Sequence, residues 1–132
     1  MIAKTDRVEK RLNLISGGCL DFWSLDNIDA GRGRRYDRVI IDEAGIVRDL
    51  GPAWQETIRA TLADRQGDAW FLGTPKGRSF FHRCFERGQI GDGGWRSWRL
   101  PTTSNPTIPA NEIEAARKEL PKQIFEQEFL GI

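Results

Sequence analysis

The stretch Val39-Ile40-Ile41-Asp42-Glu43 decides the fold, because it is a short apolar run that ends in two adjacent carboxylates. Further along, a second apolar run, Ala69-Trp70-Phe71-Leu72, ends in Gly73-Thr74-Pro75-Lys76-Gly77. A strand that is buried on both faces of a parallel sheet reads as a continuous hydrophobic run. Ligands of open α/β sheets bind just past the carboxyl ends of the strands. We therefore expect the polar residues that follow these two strands to meet at one edge of a sheet.

Length and composition indicate one globular domain. The chain has 132 residues, of which 39% are hydrophobic and 30% are charged, and this length suffices for one modest core. No apolar stretch approaches the ~20 residues of a membrane span, so no membrane partner is expected. Cys19, Cys84 and His82 are too few and too scattered for a zinc site. Free thiols in a reducing compartment are the expected state of the cysteines.

The charge is balanced overall but uneven along the chain. With 20 basic and 19 acidic residues the net charge is +1. Arginines crowd into the stretch 32–38, and the stretch 76–99 has six basic residues against two acidic ones. Such patches can follow a phosphate backbone, but they are also typical of an ordinary solvated surface. Charge alone leaves both interpretations open.

The first half of the chain predicts strands around one helix. Runs over 8–15 and 19–25 flank Ser16-Gly17-Gly18 and predict a β-hairpin, because glycine supplies the positive φ of a tight turn. A polar loop over 26–37 leads into the strand that ends at Asp42. Pro52 then opens a helix that Gly67 ends.

The second half predicts two further strands and three helices. A strand over 69–73 is followed by a helix over 79–87 that ends at Gly88. Asn111 and Glu114 form a predicted capping box. The other predicted elements are a third strand over 95–100, an irregular segment over 101–109, and helices over 111–120 and 121–129. Alternation of strands and helices indicates a right-handed α/β layer fold.

The residues after the two strands suit phosphate chemistry. Alternation along a strand would point Asp42 and Glu43 to opposite faces, so that one could hold a water on Mg²⁺ while the other deprotonates an attacking water. The Thr74 hydroxyl could reach a γ-phosphate. The alternative is structural: carboxylates that cap a loop, and a tight Gly-Thr-Pro turn. The 132 residues contain no G-x-x-x-x-G-K-[ST] loop to cradle phosphates.

An ordered set of motifs resembles the ATPase domain of the large subunit of tailed-phage DNA-packaging terminases. The stretches 22–27 (Phe-Trp-Ser-Leu-Asp-Asn), 32–33 (Arg-Gly) and 36–44, from Tyr36-Asp37 to Ala44, resemble that family from its hairpin through its Walker B element. Phe71 to Gly77 is similar to its coupling motif. Asn105-Pro106 and the stretch 126–131 (Glu-Gln-Glu-Phe-Leu-Gly) resemble the end of its ATPase domain.

This resemblance implies a fold and a domain layout. The fold is a three-layer P-loop NTPase of the additional-strand, catalytic-glutamate type, with a mainly parallel sheet and an N-terminal β-hairpin. Residues 1–132 would form one partial domain, the C-terminal part of the ATPase domain. Its parts are a hairpin over 1–25, an arginine-containing loop over 26–37, a Walker B and coupling-motif core over 38–100, and C-terminal helices over 101–132.

The resemblance also implies site residues. Asp42 would be the Walker B carboxylate that holds Mg²⁺ through water, Glu43 the catalytic base, and Thr74 the coupling residue. Lys76 would bind nucleotide together with Asp42 and Thr74. Arg32 would reach the nucleotide of a neighbouring subunit, with Arg34 and Arg35 as alternatives. The DNA-binding residues would be Arg78, Arg83 and Arg87.

ATP and Mg²⁺ are the implied cofactors. The implied partners are double-stranded DNA, a portal protein, the small terminase subunit and further copies of the chain in a ring, in the cytoplasm of a bacterial host. We expect a central fragment, either a truncated prophage gene or an excised piece, whose Walker A loop would precede Met1 and whose nuclease domain would follow Ile132. Such a fragment should have little ATP hydrolase activity alone. A non-catalytic DNA- or protein-binding remnant and a helicase-like motor ATPase are the alternatives.

Overall fold

The computed structural model describes residues 1–29 and 31–132, so one position of the predicted loop 26–37, Ala30, lies outside the described residues. The described residues form five strands and four helices, with short 3₁₀ turns at Asp92–Gly94 and Thr102–Ser104. The strands are β1 (Ile2–Asp6), β2 (Arg11–Leu14), β3 (Cys19–Asp21), β4 (Arg38–Ile41) and β5 (Asp68–Phe71). The helices are α1 (50–63), α2 (Phe80–Ile90), α3 (Ala110–Glu119) and α4 (122–130).

The predicted hairpin is present as part of a three-stranded antiparallel sheet. Strands β1, β2 and β3 lie in that order, with Leu12 opposite Leu20. Gly17 has φ of 86° in the turn between β2 and β3, which a residue with a side chain adopts only at a cost. Both hairpin strands are shorter than predicted. Strand β1 was not predicted, because Ala3-Lys4-Thr5 lacks the apolar alternation typical of a half-buried strand.

The second sheet contains the two apolar strands that precede Asp42 and Gly73. Strands β4 and β5 pair in parallel, with Val39 opposite Ala69 and Ile41 opposite Phe71. The prediction that these two runs are neighbouring parallel strands is therefore confirmed.

The predicted third strand over 95–100 is wrong for the described residues. Trp95 has extended backbone angles, but its segment joins no ladder. Instead the Trp95 ring packs on Phe71, and the Trp98 ring stacks on Trp70. The two tryptophans of this segment thus pack beside β5. Within the described residues the parallel sheet accordingly has two strands, and the larger, mainly parallel sheet is not observed.

Helix α1 forms the core with the inner face of the parallel sheet. It begins at Leu50, two residues before the predicted start at Pro52, and contains one π-helical stretch, Trp54–Ile58, between two α-helical ones. The chain turns at Gly67, whose N–H donates to the Leu62 carbonyl at 2.9 Å. The buried cluster that joins helix and sheet consists of Ile41, Ala44, Leu50, Ala53 and Ile58.

Helix α2 runs further than predicted. Its N-cap is Ser79, whose hydroxyl accepts from the His82 N–H at 3.3 Å. The prediction that Gly88 ends this helix is wrong, because the helix continues to Ile90 and ends at Gly91, which has φ of 69°. Gly88 has a packing role instead. A Cβ there would stand 2.6 Å from the backbone of Arg96, so only glycine lets the following segment lie against the helix.

The two C-terminal helices are present close to their predicted bounds. The predicted capping box is wrong, because the N-cap of α3 is Pro109, without a side-chain cap, and Asn111 lies inside the helix. Helix α4 ends at Gly131, which has φ of 66°, as predicted. Among the helices of the described residues, none has the length and apolar character needed to cross a bilayer.

Candidate functional site

Two turns meet at the carboxyl edge of the parallel sheet. The Leu72 N–H donates to the Ile41 carbonyl at 2.9 Å, and the Ala44 N–H donates to the Leu72 carbonyl at 2.7 Å. These bonds extend the parallel ladder beyond both strands. They hold the turn 42–45, which we call the carboxylate turn, against the turn 73–76, which we call the threonine turn.

Two glycines allow this close approach. A Cβ on Gly45 would collide with the carbonyl oxygen of Thr74, and it would lie 3.6 Å from the side chain of Lys76. A Cβ on Gly73 would lie 3.0 Å from the Ala44 nitrogen, and Gly73 has φ of 154°. Glycine at positions 45 and 73 is therefore required by the contact between the two turns.

Both carboxylates are exposed and lie in a turn. Asp42 accepts the N–H of Glu43 at 2.9 Å, and Ile46 donates to the Glu43 carbonyl at 3.0 Å. Glu43 has φ of 52°, a left-handed conformation that costs a residue with a side chain on the order of 1–3 kcal/mol. The prediction that strand alternation points Asp42 and Glu43 to opposite faces is wrong, because strand β4 ends at Ile41 and neither residue belongs to it. The left-handed turn at Glu43 sets the directions of these side chains.

The threonine turn contacts the C-terminal helix α4. Thr74 is half-buried, and Lys76 donates through Nζ to Glu128 Oε1 at 3.0 Å. Gln127 Nε2 also donates to Glu128 Oε1, at 2.9 Å. These contacts, led by the hydrogen bond from Lys76, hold the pKa of Glu128 below its ordinary value. The charge of Lys76 is therefore already paired in this structure.

The carboxylate turn suits a hydrated magnesium ion. Mg²⁺ keeps several of its waters and is bound through one or two carboxylates together with substrate phosphates. Asp42 and Glu43 are exposed and adjacent, and one Asp42 oxygen is left for such a ligand. Within residues 1–29 and 31–132 there is no cluster of three or more His, Cys, Asp or Glu that would cage a metal directly. The donor set thus fits a water-mediated ion rather than an all-protein site.

The arginine-containing loop lies against helix α1. Arg32 is exposed and donates through Nε to Asp29 at 2.8 Å. Arg34 lies 3.5 Å from Asp21, and Arg35 lies 3.6 Å from Asp64. All three arginines line a cavity of about 420 Å³, whose other described walls include Glu56 and Thr57. They lie together, but each already has a carboxylate partner.

The arginines predicted to bind DNA are all exposed. Arg83 lies over the Phe80 ring at 5.4 Å, and Arg87 lies over the Trp95 ring at 4.9 Å. Arg87 also donates to Asp92 at 2.8 Å. Helix α2 therefore presents Arg83 and Arg87 outward with their guanidinium groups held on aromatic rings, and Arg78 precedes this helix.

Sequence reasoning missed two polar contacts. Asp21, on the hairpin, accepts from both Arg11 and Tyr36, and Glu128 accepts from Lys76 across 52 positions of sequence. Opposite charge hints at the first contact, since Arg11 at the start of β2 lies opposite Asp21 at the end of β3. No local pattern points to the second.

Comparison with known proteins gives a consistent family of relatives. No protein-family profile matches the chain. The terminase large subunit of Escherichia phage T5 is 32% identical over 123 residues, which cover 92% of this chain and 28% of that protein. The terminase large subunit of Thermus phage G20c is 40% identical over 68 residues, which cover 52% of this chain and 14% of that protein. The chain thus spans less than a third of the length of these relatives.

Solved structures agree on the fold. The large terminase ATPase domain of Thermus phage P74-26 superposes with a TM-score of 0.78 at 24% identity, over 97% of this chain and 61% of that one. A point mutant of the same domain gives a TM-score of 0.75. The chain therefore has the fold of the matching part of that ATPase domain.

Proposed function

We propose that this chain, which is homologous to part of the terminase large subunit, is the Walker B and coupling portion of a phage DNA-packaging ATPase. In this proposal residues 1–132 are the C-terminal part of the ATPase domain. The complete protein hydrolyses ATP and moves double-stranded DNA into a procapsid, in the cytoplasm of the bacterial host. A portal protein, the small terminase subunit and further copies of the chain in a ring are its partners.

One observation carries the proposal: parallel pairing of β4 and β5 brings the carboxylate turn against the threonine turn at one sheet edge. This is the edge at which α/β sheets bind nucleotides. A carboxylate pair beside a threonine hydroxyl can hold a hydrated cation, orient an attacking water and sense the terminal phosphate. Left-handed backbone also occurs at Lys10 and Gln66 in other turns, so the position of the two carboxylates at this edge, and not the strain at Glu43, supports the proposal.

We assign the roles within this site as follows. Asp42 holds Mg²⁺ through water, and Glu43 accepts the proton of the attacking water. Thr74 contacts the terminal phosphate and couples its loss to motion, while Lys76 neutralises phosphate charge. When bound, Mg²⁺ offsets the negative charge that develops on the phosphate oxygens. A phosphate-cradling loop, which the 132 residues do not contain, completes the nucleotide site in this proposal.

The arginines have roles outside this turn. We assign Arg32 to the nucleotide of a neighbouring subunit, because it is exposed and its Asp29 partner is equally accessible to solvent. Exposed ion pairs of this kind contribute little to stability, so Arg32 can leave Asp29 for another partner at little cost. Arg78, Arg83 and Arg87 contact DNA without reading its sequence in this proposal, since a translocating motor must grip every sequence that it passes.

The test is an NMR titration of the 132-residue chain with ATP in the presence of Mg²⁺. We expect weak binding and no measurable turnover, because no phosphate-cradling loop offsets the charge of the carboxylates. The largest shifts should fall on the turns 42–45 and 73–76. Asp42→Asn should reduce these shifts several-fold, whereas Asp49→Asn, a matched exposed carboxylate ahead of α1, should leave them unchanged.

Two outcomes would contradict the proposal. Shifts that cluster away from both turns would mean that nucleotide binds elsewhere. Equal effects of Asp42→Asn and Asp49→Asn would mean that the carboxylate turn contributes only general negative charge.

A further inference from the structure

Three segments that are distant in sequence meet around one lysine. The side chain of Lys76 lies beside Gly45 of the carboxylate turn, since a Cβ on that glycine would be 3.6 Å from the lysine stem. Its Nζ reaches Glu128 at 3.0 Å, on helix α4. Lys76 thus links the carboxylate turn and the threonine turn to the C-terminal helices.

Packing of helix α4 holds the carboxylate of Glu128 in place. Phe125 is buried, and its ring stacks on that of Phe129 at 5.0 Å. The guanidinium of Arg117, on α3, lies over the Phe125 ring at 4.6 Å. Gln127 fixes the carboxylate further by donating to Oε1 at 2.9 Å. The carboxylate is therefore presented to the turn by a packed helix pair rather than by a loose surface chain.

We propose that Glu128 is a positioning residue that holds the threonine turn through Lys76 and competes with phosphate for that lysine. This inference depends on the proposed function, which places nucleotide phosphate beside the turn. While Lys76 is paired with Glu128, helix α4 is tied to the site. A phosphate that takes Lys76 leaves Glu128 without its partner and loosens α4 from the turn. By thermodynamic linkage, contact between α4 and the turn must weaken phosphate binding to the same degree.

The geometry is tested first on the 132-residue chain without any ligand. Carbon-detected NMR should show Glu128 titrating below its ordinary value of 4.5, the direction that the Lys76 contact dictates. Lys76→Met should raise that pKa toward 4.5. The Thr74 methyl signal should titrate together with Glu128, and Glu128→Gln should remove this response. The reversed pair, Lys76→Glu with Glu128→Lys, should restore the pH response of the Thr74 methyl signal.

A matched control lies on the same helix. Lys122→Met removes the 3.7 Å pair that Lys122 forms with Glu126, four residues further along α4. It should leave the Thr74 methyl signal and the Glu128 titration unchanged. A Thr74 signal that is insensitive to Glu128→Gln would overturn the positioning role, as would an equal response to Lys122→Met.

Competition is tested with inorganic phosphate as the probe. Signals of Thr74 and Lys76 should respond at a several-fold lower phosphate concentration in Glu128→Gln than in the original chain. A response at equal phosphate concentrations in the two chains would overturn the proposed competition between Glu128 and phosphate, while leaving the phosphate site itself intact. No response in either would overturn the competition and count against the proposed function as well. The ligand-free titration separates these two cases, because it does not depend on phosphate.

Discussion

At the scale of single residues, the site depends on backbone conformations that side chains restrict. Glu43 adopts a left-handed φ of 52°. Gly45 is buried and faces the carbonyl of Thr74 with no room for a Cβ. Strain at Glu43 is typical of functional positions, where surrounding contacts hold a residue in an unfavourable conformation. Gly45 is the position that lets those contacts form.

Gly45→Ala should therefore destabilise the fold and part the two turns. The added methyl must displace the backbone of the threonine turn, and overpacking of this kind costs about 1–3 kcal/mol. Urea denaturation measures the loss. Gly18→Ala is the control, because a Cβ there meets the side chains of Leu14 at 3.7 Å and Ser16 at 3.9 Å, both ordinary contact distances. It should change the free energy of unfolding by less than about 0.5 kcal/mol. Equal losses in the two variants would mean that the turns are not in close contact.

At the scale of elements, one carboxylate fastens the hairpin sheet to the arginine-containing loop. Asp21 accepts from Arg11 Nη2 at 2.9 Å within the sheet and from the Tyr36 hydroxyl at 2.5 Å. Its side chain is only 4% exposed. The hydrogen bond from Arg11 is the largest cause that lowers the pKa of Asp21 below its ordinary value of 3.8. Burial and the bond to Asp21 raise the pKa of Tyr36.

This contact should make the fold sensitive to acid. Because the pKa of Asp21 is lower in the folded chain, its contribution is complete above pH 3.8 and is lost as the pH falls through the folded value. Asp21→Asn should cost roughly 1–3 kcal/mol at neutral pH, and it should flatten the dependence of stability on pH in the acid range. Thermal denaturation followed by circular dichroism at stepped pH measures both effects.

The matched control is Asp68→Asn, which removes the carboxylate of a comparable two-point pair with Arg38. The side chains of Arg38 and Asp68 are both more than half exposed, so this pair should contribute little to the free energy of unfolding. Losses of equal size in the two variants would contradict the anchoring role of Asp21.

At the scale of the whole molecule, one face of the parallel sheet is packed and the other is exposed. Val39, Ile41 and Phe71 face helix α1. On the opposite face Ile40 is 62% exposed, Trp70 43% and Leu72 45%, and Trp98, stacked on Trp70, is 65% exposed. Contiguous apolar patches of this kind mark surfaces that bind other polypeptides or promote association.

Replacing both Ile40 and Leu72 by Thr should reduce self-association of the 132-residue chain. Threonine is compatible with strands and removes most of the exposed apolar area. Sedimentation velocity at increasing concentration, with binding of a hydrophobic dye, measures the change. Val8→Thr is the control, because Val8 is 92% exposed but isolated in the β1–β2 turn. A chain that stays monomeric and binds no dye before mutation would contradict the patch assignment.

The sequence by itself determined the elements of the site. Strands β4 and β5 were predictable because each is a short apolar run that ends at polar residues. Helix α1 was predictable from Pro52 in its first turn and Gly67 beyond its end. These signals are local, since they depend on which conformations a few neighbouring residues can adopt. The position of Asp42, Glu43 and Thr74 just past parallel strands followed from the same local patterns.

Only the tertiary structure decided which distant residues touch. The segment over 95–100 has a strand-like pattern, yet its tryptophans pack against β5 without joining a ladder. The turn at Glu43, the anchoring of Asp21 and the pairing of Lys76 with Glu128 depend on contacts across up to 52 positions. Such contacts depend on how the packed elements place their side chains. The sequence around a charged residue does not indicate which distant residue will become its partner in the fold.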